Sequence, residues 1–255
     1  MNNYELSPVG HVNSIQTLGT LDGPGVRFVA FLQGCNLRCS CCHNPETWNY
    51  TAGREIAAEE AKKLEIKLYS PEALAKMAER YKTYFGALGG VTLSGGEPLL
   101  QAEFAAAFFS ECHGRGMNTC LDTSGSLWNS AVEKLLAVTD RVLLDIKYHT
   151  DELYKKHVGC SISAPLRFLD ELNNRSIPTT LRQVIIPTLN DNAESMRFLT
   201  ELREEYSCVD GIELLPFKKI CKTKYDSMGI RFPFECMDTP TRESMQMLNG
   251  MLGIK

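Results

Sequence analysis

The feature that most constrains the fold of this chain is a regular alternation of strand-like and helix-like segments. Short runs rich in β-branched and aromatic residues predict strands, and the longer segments between them carry apolar residues at helical spacing. Six strands are predicted, at residues 26–32, 90–93, 118–122, 141–146, 179–186 and 211–215. This alternation is typical of an α/β fold with a parallel sheet and right-handed crossovers. It does not by itself distinguish an open sheet from a closed barrel.

Capping residues predict where several of the helices begin. Ser70 followed by Pro71 is a typical N-cap with proline at the first helical position. Residues 190–191 and 239–240 predict the starts of two further helices in the C-terminal third of the chain.

Composition places the chain among globular proteins and excludes several functions. With 255 residues, 44% of them hydrophobic and 23% charged, it is predicted to form one domain over residues 1–255. A net charge of −4 without a long run of Lys or Arg argues against a nucleic-acid partner. No apolar run approaches the roughly 20 residues that span a bilayer, and no secretory signal is recognisable, so a cytoplasmic location is expected.

Four of the ten cysteines, Cys35, Cys39, Cys41 and Cys42, lie within eight consecutive positions. In a reducing compartment such a cluster indicates metal binding or redox activity rather than disulfides. One alternative is a structural zinc site with His43 as a further ligand. The other takes the CxxxCxxC spacing of Cys35, Cys39 and Cys42 as three ligands of a 4Fe-4S cluster, which normally has four thiolates, so that one iron stays open.

Unusual polar residues follow the predicted strands, at the ends where parallel α/β folds bind their ligands. The segment 94–98, Ser-Gly-Gly-Glu-Pro, taken alone indicates a strand-to-helix turn. Asp122 and Asp145 each end an apolar strand, where an Asp usually caps a helix or forms a turn. Two acids on neighbouring strand ends would repel each other unless a cation lies between them.

Three further features have both an ordinary and a functional interpretation. Residues 22–25, Asp-Gly-Pro-Gly, form a turn motif. Lys147 follows a strand, where a solvated lysine is common. Arg182 lies inside an apolar strand and needs a partner for its charge, for which a bound ligand is a candidate.

Taken together and in this order, these motifs resemble those of the radical S-adenosylmethionine (SAM) enzymes that activate glycyl-radical enzymes. The resemblance runs nearly end to end and implies an α/β fold with an incomplete (β/α)6 barrel of parallel strands. Some members carry a cysteine-rich insertion after the cluster motif, but residues 45–90 contain no cysteine. The chain therefore resembles the short type, which acts on pyruvate formate-lyase.

The resemblance also implies roles for individual residues, none of which is itself a catalytic side chain. Cys35, Cys39 and Cys42 would bind the 4Fe-4S cluster, whose open iron binds SAM. A monovalent cation, Na⁺ or K⁺, would be bound by Asp122, Thr123, Leu143 and Asp145. Asp22, Gly23 and Arg27 would contact the substrate peptide. The residues expected near SAM are Cys41, Gly95, Gly96, Glu97, Asp122, Asp145, Lys147, Arg182 and Lys218.

The implied reaction begins when flavodoxin or ferredoxin reduces the cluster. Reductive cleavage of SAM then gives methionine and a 5′-deoxyadenosyl radical, which takes hydrogen from one glycine of a partner such as pyruvate formate-lyase. A radical SAM reaction on a small molecule is the enzymatic alternative, and a zinc-binding interaction module is the non-enzymatic one.

Two positions depart from the pattern of the family. Cys41 stands where an aromatic residue usually packs near the adenine, and Lys218 stands where a histidine is expected. His43 and Asn44 are expected to shape the cysteine loop rather than to transfer protons.

Overall fold

The computed structural model of the chain describes residues 8–49 and 58–254. Contacts group the chain into two compact units. The first comprises the chain up to Asn36 together with Asn49–Thr123 and Leu127–Arg141, and the second comprises Leu37–Trp48, Ser124–Ser126 and the chain from Val142 onward. That the whole chain is one domain stays a prediction.

The first unit contains five strands in the order β3-β1-β2-β4-β5. Strands β2, β4 and β5 run parallel, whereas β1 is antiparallel to both β2 and β3. Their bounds are Gly10–Gly19 (β1), Arg27–Leu32 (β2), Lys67–Tyr69 (β3), Gly90–Gly95 (β4) and Asn118–Thr123 (β5). The helices are Ala58–Lys63 (α1), Pro71–Glu79 (α2), Lys82–Phe85 (α3), Ala102–Gly114 (α4) and Ser130–Leu136 (α5), with a 3₁₀ helix at Pro98–Gln101.

The second unit contains three parallel strands, of which β6 begins at the last residue of the first unit. The strands are Arg141–Asp145 (β6), Thr179–Ile185 (β7) and Val209–Pro216 (β8). The helices are Asp151–His157 (α6), Ser163–Asn174 (α7), Ala193–Glu205 (α8), Lys222–Ser227 (α9) and Arg242–Met251 (α10), with a 3₁₀ helix at Pro45–Trp48. Within residues 8–49 and 58–254, no helix has both the length and the apolar character needed to cross a membrane.

The six parallel strands confirm the predicted α/β class, and the two antiparallel strands were not predicted. Strand β1 is polar at many positions, and over most of its length exposed residues alternate with half-buried ones. This pattern is typical of a strand near a sheet edge that has one solvated face. Strand β3 has only three residues, none of them buried. Neither strand carries the apolar run by which the parallel strands are recognised.

Buried apolar residues on the parallel strands form the core of each unit. Phe28 and Leu93 are fully buried in the first unit, where Phe104 and Phe108 of α4 stack at a ring distance of 6.2 Å. In the second unit, Leu181 of β7 is fully buried.

Helix caps agree with the prediction at one end and correct it at two others. Ser70 caps α2 by accepting a hydrogen bond from the Ala73 amide at 3.2 Å, as predicted. Asn192, and not residues 190–191, caps α8, because the fully buried Asn190 side chain accepts from Ile186 N and donates to Val184 O instead. The cap of α10 is Thr241, one residue beyond the predicted start at 239–240.

Candidate active site

In the first unit, the segment 94–98 packs against the chain that leads from β2 to Cys35. Gly96 N donates to Leu32 O at 2.9 Å, and Glu97 N donates to Gly34 O at 2.8 Å. Because β2 and β4 are parallel and Leu32 lies opposite Gly95, both segments leave the sheet at the same edge. The backbone of segment 94–98 therefore fixes the start of the cysteine loop.

The two glycines of this segment are required by backbone packing. Gly95 has a φ of +112°, and a Cβ there would lie 2.4 Å from Leu32 N. A Cβ on Gly96 would lie 2.1 Å from Gly34 O. Pro98 then begins the 3₁₀ helix, so the structure contains the turn that the sequence predicts. A backbone contact between this turn and SAM stays a prediction.

Two carboxylates at this edge have partners within the first unit. Glu97 is buried, and its Oε1 accepts from Thr123 Oγ1 at 2.5 Å and from Leu99 N at 3.2 Å. Ser94 Oγ donates to Asp122 Oδ2 at 2.6 Å. Glu97 thus braces the turn and orients Thr123. Ser94 supports Asp122 by this hydrogen bond. The sequence analysis did not single out Ser94, whose only signal is its position before the paired glycines.

Arg27 supports the turn at residues 22–25 from inside the protein. Its side chain is fully buried, and its Nε donates to Thr92 Oγ1 at 2.6 Å, while Nη1 donates to Pro24 O at 3.0 Å. The Thr92 hydroxyl in turn donates to Asp22 O at 2.8 Å. Burial lowers the pKa of Arg27, but nearby acidic groups oppose this effect. The guanidinium of Arg27 is thus buried and holds the turn, and a contact of Arg27 with the substrate peptide stays a prediction.

In the second unit, the cysteine loop is anchored by backbone hydrogen bonds to the end of α6. Arg38 N donates to Val158 O at 3.2 Å, and Ser40 N donates to His157 O at 2.8 Å. Cys42 O accepts from the Tyr225 hydroxyl of α9 at 3.2 Å. These bonds hold residues 38–42 without using the cysteine side chains.

His43 and Asn44 extend this anchoring beyond the cysteines. The His43 Nε2 atom lies 3.0 Å from Lys218 O, and Lys224 donates to Asn44 Oδ1 at 2.9 Å. Burial lowers the pKa of His43. The backbone carbonyl of Lys218 makes this contact, while its side chain is exposed.

The thiols of the loop lie in surroundings that disfavour a bare thiolate. Cys39 and Cys42 are partly buried and Cys41 is buried. Burial raises the pKa of Cys41 to about 12 and that of Cys42 to about 11. No disulfide joins the cysteines in the part of the chain that the structure describes. The Cys41 and Cys42 thiols are therefore neutral without a metal, and binding iron at Cys42 would displace its proton.

Lys147 places a positive charge beside these sulfurs. Its Nζ lies 2.7 Å from Oδ2 of Asp145, the last residue of β6, and Lys147 itself lies two residues beyond the strand. Burial disfavours the charge, but Asp145 and the thiols of Cys39 and Cys41 hold the pKa of Lys147 well above its usual value. The ammonium group stays charged and lowers the cost of a thiolate at Cys39 or Cys41.

Arg182 has a protein partner in this unit. It lies on β7 opposite Glu213 of β8, and its Nε is 3.2 Å from Glu213 Oε2. The charge for which sequence reasoning sought a ligand is thus matched by a carboxylate on the next strand. Leu143 is buried within β6.

The donor set of the loop fits an iron–sulfur cluster. Among residues 8–49 and 58–254, no three His, Cys, Asp or Glu side chains are grouped to hold one metal ion. The thiolates of a cluster each bind a different iron, so they need not converge on one point. Three partly buried thiols at CxxxCxxC spacing provide the soft ligands that iron–sulfur clusters use, and Lys147 lies near that of Cys39.

Comparison with curated proteins gives close matches over almost the whole chain. The pyruvate formate-lyase 1-activating enzyme of Escherichia coli is 36% identical over 250 residues, covering 97% of this chain and 96% of that protein. The corresponding Clostridium pasteurianum enzyme is 38% identical over 242 residues, covering 93% of this chain and 96% of that protein.

Comparison with solved structures shows the same fold. A domain of a pyruvate-formate lyase-activating enzyme from Bacteroides vulgatus superposes with a TM-score of 0.54 at 22% identity, covering 66% of this chain and 96% of that one. SuiB from Streptococcus suis superposes with a TM-score of 0.60 at 15% identity, covering 87% and 44%. Residues 29–199 match the family model of the radical SAM superfamily. The chain belongs to this superfamily and, within it, to the family of the pyruvate formate-lyase-activating enzymes.

Proposed function

We propose that this protein activates a glycyl-radical enzyme, most directly pyruvate formate-lyase, by removing hydrogen from one glycine of that enzyme. The observation that carries the proposal is the 36% identity over 97% of the chain to the Escherichia coli activating enzyme. The CxxxCxxC loop and its surroundings support it, because they offer three thiols and a nearby cation to a cluster.

Cys35, Cys39 and Cys42 would hold the 4Fe-4S cluster and leave one iron for SAM. When bound, the cluster and SAM supply the electron and the carbon radical that removes the hydrogen. The chain itself orients these groups. The hydrogen bonds of Ser40 and Cys42 to α6 and α9 hold the loop, and segment 94–98 holds its first residues.

Lys147 and Arg182 are the cationic residues that we assign to SAM. Lys147 is charged and largely buried, and Asp145 orients its ammonium group. Arg182 is nearly buried on β7, where the Glu213 carboxylate 3.2 Å from its Nε fixes the position of its guanidinium. Gly95, Gly96, Lys218 and Cys41 stay proposed neighbours of SAM.

A Na⁺ or K⁺ ion near the SAM carboxylate is a further part of the proposal. Its ligands would be Asp122, Thr123, Asp145 and the backbone of Leu143. The first three already have partners: Asp122 accepts from Ser94, Thr123 donates to Glu97, and Asp145 accepts from Lys147. Carboxylate, hydroxyl and carbonyl oxygens are the ligand type that Na⁺ and K⁺ would use here.

The turn at residues 22–25 would meet the glycine-bearing segment of the partner. Asp22 and Gly23 are the proposed contacts, and Arg27 and Thr92 hold their backbone in place. Flavodoxin or ferredoxin would provide the electron. The reaction would take place in the cytoplasm, where cysteines stay reduced.

The decisive experiment combines anaerobically reconstituted protein with reductant, SAM and pyruvate formate-lyase. We expect about four iron per chain and a glycyl radical on the partner by electron paramagnetic resonance (EPR). Alanine at Cys35, Cys39 or Cys42 should abolish both signals. Cys41→Ala is the matched control within the same loop and should keep the iron.

Cleavage of SAM without a radical on any glycyl-radical enzyme would contradict the proposal and favour a small-molecule substrate. A colourless protein with one tightly bound zinc would contradict the cluster itself.

A further inference from the structure

The hydroxyl group of Tyr148 is buried and has no hydrogen-bond partner among the described residues. The side chain follows Lys147 at the end of β6 and is 1% exposed. Its Oη makes no hydrogen bond with any residue of segments 8–49 and 58–254. Leaving such a group unsatisfied costs about 1–3 kcal/mol, so a buried phenol without a partner needs an explanation.

The surroundings of Tyr148 connect it to the cysteine loop. Its ring packs against Tyr154 and His157 of α6, with centroid distances of 6.2 Å and 5.6 Å. The carbonyl of this same His157 accepts the Ser40 amide, and Ser40 lies between Cys39 and Cys41. Tyr148 and the loop thus pack on the same turn of α6.

A second contact places the cysteines that flank Ser40 near Tyr148. Ser40 Oγ lies 3.4 Å from Nδ1 of the same His157 ring against which Tyr148 packs. Burial raises the pKa of Tyr148 above its usual range, so the group stays a neutral O–H donor. A neutral thiol is a weak acceptor, whereas an iron-bound thiolate is a good one.

We propose that the Tyr148 hydroxyl donates a hydrogen bond to the Cys39 sulfur when that sulfur binds the cluster, and so raises the reduction potential of the cluster. The inference rests on the cluster of the proposed function. Hydrogen bonds to ligand sulfurs stabilise the more negative, reduced state, and they are one of the means by which proteins set cluster potentials. Of the two nearby sulfurs, Cys39 is a predicted iron ligand and Cys41 is not.

The test is the midpoint potential of the reconstituted, SAM-free protein, followed by EPR during a redox titration. Tyr148→Phe removes only the hydroxyl and should shift the potential to a more negative value at unchanged iron content. Tyr154→Phe is the matched control, because its hydroxyl belongs to the same aromatic group but accepts from Lys147 N at 2.9 Å. The control should shift the potential less. Equal potentials for wild type and Tyr148→Phe would overturn the inference.

The background variant Cys41→Ala decides which sulfur accepts the bond. If Tyr148→Phe causes the same shift in this background, Cys39 is the acceptor. If the shift disappears, the donor serves Cys41 and the assignment is overturned.

Two further measurements distinguish the loss of the hydrogen bond from a folding defect of the variant. In cluster-free protein, Tyr148→Phe should be at least as stable as wild type, because the removed hydroxyl had no partner there. Replacing Tyr148 with 3-fluorotyrosine makes the phenol a stronger donor and should shift the potential in the positive direction. No shift, or a negative one, would overturn the inference. Wild-type protein that takes up no iron would instead overturn the proposed function.

Discussion

At the residue scale, Arg27 shows how a buried charged side chain can organise the backbone around it. A buried guanidinium is costly unless its donors are satisfied, and here they bind Thr92, Asn118 and the carbonyls of Pro24, Leu88 and Val91. The sequence predicts a contact between Arg27 and the substrate peptide, and neither composition nor motif reveals that the side chain is buried. Its strand position and the turn before it gave no sign of the acceptors, most of which come from distant segments.

Thr92 offers the mildest test of this network. Thr92→Val keeps the shape but removes the acceptor of Arg27 Nε and the donor to Asp22 O, so we expect the free energy of unfolding to fall by about 1–3 kcal/mol. Thr92→Ser keeps the hydroxyl and is the matched control. Urea denaturation measures both variants. An unchanged free energy of unfolding in Thr92→Val would contradict the prediction.

At the element scale, α6 carries the second unit's part of the site. The carbonyls of His157 and Val158 at its C-terminal end hold the cysteine loop, and Tyr148 packs on its buried side. The alternation in the sequence predicts helical structure between β6 and β7, where α6 lies. That its last turn serves as an anchor depends on tertiary contacts, which local periodicity does not encode.

The N-terminal end of α6 gives the helix a predictable acid sensitivity. Hydrogen bonds from Lys155, Ser161 and Ile162 N lower the pKa of Asp151 to about 2. The unfolded value is about 3.9, so this contribution to stability is present above that pH and is lost as the pH falls toward 2. Asp151→Asn should therefore flatten the decline of the unfolding midpoint between about pH 4 and pH 2.

Glu152→Gln, at the next position of the same helix, is the control and should keep the decline of wild type. Thermal unfolding followed by circular dichroism at a series of pH values measures both. The same slope in Asp151→Asn as in wild type would mean that these hydrogen bonds do not contribute to stability.

At the scale of the whole molecule, sequence predicted which residues lie at the carboxyl ends of strands but not how they pair. Parallel topology follows from alternation, and it places segment 94–98 and Asp122 at one sheet edge, as observed. The pairings Glu97 with Thr123 and Arg182 with Glu213 depend on register between strands. A register shift of one residue turns every side chain to the other face, so these partners become visible only in the structure.

A cluster bound by the native loop should also stabilise the entire chain. A group that binds only the folded state shifts the unfolding equilibrium toward the folded state. Iron binding here must also displace the proton of Cys42, whose pKa burial raises to about 11. We expect the reconstituted protein to unfold at a higher temperature than the cluster-free protein under anaerobic conditions. Cys39→Ala should remove this difference, whereas Cys41→Ala should keep it. Because Cys41 is buried, the smaller alanine leaves a cavity and lowers the unfolding temperature of the Cys41→Ala protein both with and without the cluster. Equal unfolding temperatures with and without iron in the wild-type protein would show that the bound iron is not held by the folded cysteine loop.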